Sequence, residues 1–514
     1  MNLYDDILKT MIPKALSRLR EQPIFVFLPM VFLVVLIKNA WLGDDAFITA
    51  RLAKNFAEGY GMRWNLAERT YAFTHPLWMF LMTFCIRMFK NADIYHILVG
   101  LSLAVSFFVS LVFVFYTSGK KGGAFLVGVL MIFSKAFVDY SASGLENPLS
   151  HLLLLLFYIV FLKDKNKPIV LYTLGSLICL TRHDNLLFIA PALVYLLVKD
   201  FNKKNIGNLF LGFSPFILWT LFSTFYFGFP LPNTAYAKLA GSFTPGGNYF
   251  MDSLLHDPIT LIVVFSAVFV GFVSAPKFKL VSIGILIHMF YVYKVGGDFM
   301  SGRFFTCAFM ISLVILAHGL EKVSKTNRLG ILILALTLGT ASPFDPFNDV
   351  NKILDLVVKP VQQEKEFYFK DTGLVNNIES LAYKNNSWYQ QGKDLEKDAV
   401  FVHSTTGFLS MGAPREAYIL DSTSLSDPFM SHIPPSSKKS MRAGHVLREI
   451  PKGYLKSLEY GFNMVEDSCL HEYYDKIMII SRWDLFNPQR LATVVKMNLG
   501  QYNYLLKGDC KVSI

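Results

Sequence analysis

The sequence predicts a polytopic α-helical membrane protein with a small soluble α/β domain at its C-terminal end. Three observations predict it. Of the 514 residues, 53% are hydrophobic and only 17% charged, with a mean hydropathy of +0.40; an average soluble domain carries roughly 25% charged residues. The apolar residues come in long runs, at 26–37, 94–115, 149–162, 210–227, 259–273 and 304–320, and several approach the ~20 residues needed to cross a bilayer. From residue 343 the pattern changes: charge density rises and the long apolar runs stop.

The spans follow from hydropathy and from where the basic residues gather. Lys9, Lys14, Arg18 and Arg20 precede the first apolar run, so the N-terminus is expected in the cytoplasm, the side that retains Lys and Arg. That run lacks a small-residue cleavage site and reads as an anchor, not a removable signal. The first span leaves 41–73 as an outer loop. The segment 76–89, short and containing Arg87, decides everything after it. If it crossed, Lys120-Lys121 and the basic loops at 163–167, 199–204, 277–279 and 322–328 would all lie outside. If it lies in the interface as an amphipathic or re-entrant helix, all five fall inside. The second arrangement is expected. It gives about eleven spans, near 22–41, 94–116, 123–138, 148–162, 168–181, 186–198, 206–228, 259–275, 279–295, 303–320 and 328–342. The expected division is a transmembrane domain over 1–342 and an extracytoplasmic domain over 343–514.

In that second domain, 399–403, 417–421 and 476–481 read as short strands and 491–498 as a helix. The net charge of +11 is accounted for by the basic loops. Nucleic-acid binding is excluded, because no interleaved basic and aromatic stripe lies on a polar domain. The five cysteines show no CxxC. Cys85, Cys179 and Cys307 lie in or beside apolar segments and read as packing residues. Cys469 and Cys510 are the two free to pair if the C-terminal domain is extracytoplasmic, a bond their spacing does not demand.

The motifs that carry chemistry fall on one side of this topology. Trp41-Leu42-Gly43-Asp44-Asp45-Ala46-Phe47 follows the first span. Adjacent carboxylates raise at least one pKa, which suits a general base. Asp44 or Asp45 would deprotonate an acceptor hydroxyl, and the other would orient it or hold a divalent cation, although no ligand set for an ion is evident. The plainer reading is that one of them caps a helix over 46–58. In Thr74-His75-Pro76-Leu77-Trp78, Pro76 suits a helical first turn. His75 is a ligand contact or a local hydrogen-bonder, and Trp78 an interfacial residue beside the substrate. Glu146 in Gly144-Leu145-Glu146-Asn147-Pro148 starts a helix or binds a sugar hydroxyl. In Arg182-His183-Asp184-Asn185, Arg182 and His183 would grip a phosphate while Asp184 orients the histidine; otherwise the cluster positions a tight turn.

The run 230–238 opens an outer loop with Asn233 and with Lys238, a phosphate contact or a solvated lysine. Gly296-Gly297-Asp298-Phe299-Met300-Ser301-Gly302-Arg303 lets backbone approach a ligand and brings Asp298 and Arg303 to a cavity mouth, for sugar or phosphate contact or as a structural ion pair. Polar groups at membrane ends are costly unless paired or functional, and all of these come out on the non-cytoplasmic face. There is no Walker loop, GxSxG or HExxH, and no cytoplasmic domain to bind a nucleotide-sugar. A transferase on this face needs a membrane-borne donor, for which a polyprenyl phosphate sugar is the natural choice.

At these residues the chain resembles the GT-C class of glycosyltransferases, and within it the terminal β-1,2-arabinofuranosyltransferases of the mycobacterial cell wall and their bacterial relatives. The pieces are Gly43-Asp44-Asp45-Ala46-Phe47-Ile48, Thr74-His75-Pro76-Leu77-Trp78, Gly144-Leu145-Glu146, Arg182-His183-Asp184, 230–238, and Gly297-Asp298-Phe299-Met300 with Arg303. In the C-terminal domain they are Asp421, Leu425-Ser426-Asp427-Pro428, Gly444-His445 and Pro451-Lys452-Gly453-Tyr454. Each is weak alone; their order along the chain is the specific feature.

The resemblance implies a polyprenyl-phosphoryl arabinofuranose donor and an outer-loop Asp as base, carried onto Asp44 with Asp45 as alternate. Asp427 and His445 are expected to reach toward the substrate. Relatives usually read Gly-Leu-Thr-Asp where this chain has Ser424-Leu425-Ser426-Asp427. The low Arg and Ala content argues against a mycobacterial source. A Gram-negative cell would use such an enzyme, in its inner membrane with the site facing the periplasm, on pilin, another protein or a surface glycan. The runner-up readings are the same chemistry with another polyprenyl-phosphoryl sugar, and a transporter or flippase for lipid-linked sugars. The flippase would favour inverted repeats and broken helices near the midplane, and no such symmetry is found.

Overall fold

The computed structural model describes residues 24–117, 123–163, 167–239, 246–341, 361–436, 445 and 448–507. Among the described residues, helices lie in every segment expected to span. Ile94–Thr117, Lys203–Phe227 and Arg303–Lys322 are long and apolar enough to cross a membrane. Gly247–His256 and Pro258–Phe272 meet the same test only as a pair bent by 111°. Asn147–Leu162 and Pro168–Thr181 are shorter apolar helices. So is Pro76–Met88, whose 13 residues reach only about 20 Å against a hydrocarbon core of ~30 Å. The expected continuous segment 123–138 is broken: Gly123–Phe133 and Lys135–Ser141 are separate helices, because the Ser134 side chain caps the second by accepting from Phe137 N.

Packing divides the chain into two compact units, each discontinuous in sequence. The division at 342/343 concerns membrane topology; packing follows another line. The first unit comprises residues up to Leu42, Leu98–Phe213 and Pro245–Ile378. Its centre is Thr306–Gly319, buried from Thr306 to Ala317 without a break, as expected of a helix apolar all round. Small residues let helices approach: a Cβ on Gly284 would stand 1.9 Å from the Phe188 carbonyl oxygen. A buried network holds Glu364–Thr372 here. Lys365 Nζ donates to Asn39 Oδ1 (2.5 Å) and Asp139 Oδ1 (2.7 Å), and Lys135 Nζ bridges Asp139 and Glu366. Two cations and two carboxylates balance, as burial of charge requires.

The second unit comprises Gly43–Ile97, Ser214–Thr244 and Glu379–Ile514. It contains a two-stranded parallel sheet, β1 (Val400–His403) and β2 (Tyr418–Asp421), in the register Val400↔Tyr418 to His403↔Asp421. The helix Thr406–Gly412 connects them. Asn65 extends β2 like a further strand, its amide donating to Ile419 O and accepting from Ile419 N. The core gathers Leu420, Phe429, Tyr454, Tyr474, Ile477 and Ile480.

Two expected strands form, and the third does not: 476–481 lies inside the helix Ser468–Arg482. Asp467 caps that helix by accepting from Leu470 N. Burial of Cys469, Tyr473, Tyr474, Ile477, Ile480 and Ser481 follows a helical period, which overrides the β-branched content of so short a run. The expected helix over 491–498 forms as Pro488–Asn498. Cys85, Cys179 and Cys307 are free thiols and Cys469 is disulfide-bonded; Cys510 lies outside the described residues.

Candidate functional site

The candidate residues form two groups, one in each unit. In the second unit the N-cap of helix Asp44–Ala57 is Gly43, with no side-chain cap, and both aspartates sit in the first turn. Neither caps its own helix. Asp44 instead caps the helix Thr406–Gly412: Oδ2 accepts from Gly407 N at 2.9 Å and Oδ1 from Phe408 N at 2.8 Å. Gly407 is required for this approach, since a Cβ there would stand 2.0 Å from the Asp44 carbonyl oxygen.

Arg51 closes the same joint one face further on. Its guanidinium donates to Trp64 O, Ser410 O, Arg415 O and Ala417 O. Phe47 packs between the rings of Tyr383 and Phe408. Asp44 is therefore a half-buried carboxylate with a fixed orientation. Burial pushes it up to about 7, against the pull of the two backbone donors, with Asp45 and Asp421 adding repulsion. Asp45 is half-buried beside it. Among the described residues no group of three or more His, Cys, Asp or Glu side chains is placed to hold a metal ion.

His75 is buried at the N-cap of helix Pro76–Met88, its ring nitrogens 2.9 Å from Thr49 Oγ1 and 3.1 Å from Thr74 Oγ1. This matches the local hydrogen-bonding role. Trp78 corrects the expectation of an interfacial anchor: it is fully buried, and the apolar side chains that helix exposes are Phe80, Phe84 and Met88. Pro76 sets the helix start, and position 78 consequently falls on the inner face. Asn233 begins helix Asn233–Leu239, its N–H donating to Tyr71 O. Its Nδ2 is buried without a partner among the described residues. Lys238 is half-buried in the last turn of that helix.

Asp427 does not reach outward. It is 1% exposed. Oδ1 accepts from Phe429 N and Met430 N, and Oδ2 from the hydroxyl of Tyr454 (2.8 Å), with the Tyr418 hydroxyl 2.9 Å away. These contacts turn the carboxylate into the interior of the domain. His445 is half-buried, with flanking residues outside those described.

Sequence reasoning missed Glu68. Its Oε1 stands 2.6 Å from the Tyr418 hydroxyl, which also faces Asp427, and Oε2 stands 3.5 Å from Arg482. One phenolic hydrogen cannot serve two carboxylates at once, and burial raises both groups. The signal available was Glu68-Arg69 itself, an acid next to a base in the outer-loop stretch 59–73. Asp421 was singled out, and it folds its own turn, accepting from Thr423 N, Thr423 Oγ1 and Leu425 N. Burial pushes it up to about 6. Within that turn Ser424 has φ +66°. That backbone is left-handed, and a side chain there costs roughly 1–2 kcal/mol.

In the first unit Glu146 is fully buried between two guanidinium groups. Arg182 Nη1 donates to its Oε1 at 2.8 Å, and Arg303 Nη2 approaches both oxygens at 3.1 and 3.3 Å. Arg182 also grips Asp184 with two parallel bonds of 3.0 and 2.9 Å and stacks 4.9 Å over Phe304. Asp298 Oδ2 lies 3.6 Å from Arg303 Nη1, the ion pair weighed from sequence. Asp184 is held by Arg182, with His288 Nε2 of the helix Pro276–Lys294 at 3.8 Å; His183 opens the 3-10 turn beside it. Two arginines face three carboxylates, so Arg182 and Arg303 are already committed to acids.

Over 313 aligned residues the chain is 27% identical to the terminal β-(1→2)-arabinofuranosyltransferase of Corynebacterium glutamicum. The match covers 51% of this chain and 46% of that protein, so the chain spans about half the length of the relative it matches. No family model matches.

Proposed function

We propose that this protein is a membrane glycosyltransferase that moves a sugar, by our reading D-arabinofuranose, from a polyprenyl phosphate donor to a hydroxyl of a glycan or protein acceptor on the periplasmic face of the inner membrane. The observation that carries the reading is Asp44. A carboxylate held by two backbone N–H donors at 2.9 and 2.8 Å, and raised by burial to about 7, matches its proton affinity to neutral pH, as general-base catalysis requires. Similarity to an arabinofuranosyltransferase supports the reaction class and the sugar.

In the proposed step Asp44 takes the acceptor hydroxyl proton. The acceptor oxygen bonds to the anomeric carbon, the bond from that carbon to the phosphate oxygen breaks, and polyprenyl phosphate leaves. We assign Lys238 to the departing phosphate and the buried Asn233 amide to a donor oxygen. Arg182 and Arg303, being paired, act through Glu146, Asp184 and Asp298 by fixing the turns that carry them. The disulfide at Cys469 supports an oxidising compartment for the C-terminal region.

The test is transfer from synthetic polyprenyl-phosphoryl arabinofuranose by wild type and by Asp44→Asn at matched folded protein. Release of polyprenyl phosphate by wild type, reduced at least 10²-fold in the variant, supports class and base together. Turnover only with a polyprenyl-phosphoryl hexose keeps the class and discards arabinose. Full activity in Asp44→Asn removes Asp44 from the chemistry.

A further inference from the structure

The helix Pro488–Asn498 presents an inverted face to solvent. Arg490, Thr493, Val494 and Met497 are buried, while Leu491, Val495 and Leu499 are 36%, 58% and 68% exposed, with Phe486 just before them at 75%. Spacing of four residues puts Leu491, Val495 and Leu499 in one stripe. The helix thus exposes an apolar stripe in a region otherwise rich in charge, and such a patch marks a binding surface.

Its anchoring says what covers it. Arg490 Nη2 donates to the carbonyl oxygens of Phe225 (2.8 Å) and Tyr226 (3.0 Å), which end the helix Lys203–Phe227. Phe486 packs on Phe225, ring centroids 5.5 Å apart. Asn498 Nδ2 donates to Gly228 O at 2.8 Å. The chain turns at Gly228, φ +88°, where a Cβ would stand 2.1 Å from Ile480. Residues eight apart on a helix are separated by about 12 Å along its axis. Arg490 and Asn498 nevertheless both bind within residues 225–228. The helix therefore crosses the end of Lys203–Phe227 and does not continue beside it. Lys203–Phe227 is itself long and apolar enough to cross a membrane, and Leu218 and Leu221 near its end are each 63% exposed.

We infer that Phe486, Leu491, Val495 and Leu499 form a membrane-surface contact, by which the C-terminal region rests on the lipid layer at the level where Lys203–Phe227 leaves it. An amphipathic helix lying crosswise at a span's end meets the boundary of headgroups and acyl chains, and the lipid-facing side chains of the span continue into its stripe. The inference rests on reading Lys203–Phe227 as a span.

The test is depth quenching in the full-length protein, reconstituted in nanodiscs. An environment-sensitive fluorophore is attached at Val495→Cys and, as a control, at exposed Glu459→Cys, with the parent chain carried through the same labelling as background. The expected result is a blue-shifted emission at position 495 and at least twofold stronger quenching by lipids spin-labelled near the headgroup than at position 459. Equal quenching at both positions, or quenching at 495 by aqueous iodide instead of lipid, overturns the contact. A blue shift that grows with protein density and ignores the spin-labelled lipid assigns the face to a second copy and also overturns it. Extraction of the protein by alkaline carbonate would sink the span reading separately.

Discussion

Asp44 caps the helix Thr406–Gly412, and the proposed base is the same carboxylate. The backbone donors Gly407 N and Phe408 N favour its charged form, and burial disfavours it more, leaving the group at about 7 against an ordinary value of 3.8. The sign follows. Between those two values the folded chain holds a proton that the unfolded chain has lost, so this group's contribution to stability falls as pH rises through the window. Activity moves the other way, because only the deprotonated acid accepts a proton. The expected kcat/KM rises about tenfold per pH unit below 7 and levels above it, and Asp44→Asn removes this limb. Thermal unfolding measured alongside separates a lost base from a lost cap; a flat profile between pH 5 and 8 in the wild type refutes the assignment. The sequence offered Asp44 as a base or as the cap of the helix over 46–58, and the structure gives it a cap's contacts on another helix. What was hidden was which helix it caps, because Gly407 is 363 positions away and only tertiary structure joins them. Asp427 was hidden in the opposite sense: its motif is visible, but the backbone and tyrosine groups around it turn it inward.

At the scale of elements, Glu146 shows how local motifs become one object. The turn before Asn147–Leu162, the 3-10 turn at His183–Asn185 and the glycine-rich turn before Arg303 meet through one carboxylate and two guanidinium groups. Removing the carboxylate leaves two buried cations short of a partner, which typically costs 3–5 kcal/mol when a buried pair is broken. Glu146→Ala should lower the thermal midpoint in detergent by more than Glu146→Gln, which keeps an acceptor oxygen for Arg182. Equal, small shifts would mean that the arginines are solvated and the pairing is incidental. Sequence reasoning found each of these turns and foresaw one pair, Asp298 with Arg303. It could not foresee that Glu146 lies between Arg182 and Arg303, because periodicity reports the faces of a helix and says nothing about which turns meet. The same limit explains 476–481, where a β-branched run sits in a helix whose cap and burial period decide the outcome.

At the scale of the molecule, hydrogen bonds within the second unit constrain the topology. Asp44 binds Gly407 N, Asp93 pairs with Lys384 at 2.7 Å, and the end of Lys203–Phe227 binds Arg490. Each pair must share one side of the membrane. The number of crossings between residues 44 and 407, and between 93 and 384, is therefore even. The ten spans expected between 94 and 342 satisfy this only if Pro76–Met88 does not cross, which its 13 residues also favour. The same threading puts residue 228 outside, with the helix Pro488–Asn498 that binds it. Positive-inside reasoning proposes this arrangement from lysines alone, whereas the individual span lengths were not legible, since several helices stop short of 20 residues. The expectation is that Asn202→Cys, between two helices beside a basic loop, reacts with a membrane-impermeant maleimide only after the inner membrane is permeabilised, and that Glu459→Cys reacts before. Labelling of both without permeabilisation would mean an even number of crossings between them. It would place the C-terminal region and the Lys199–Lys204 loop on one side, in conflict with the eleven-span order.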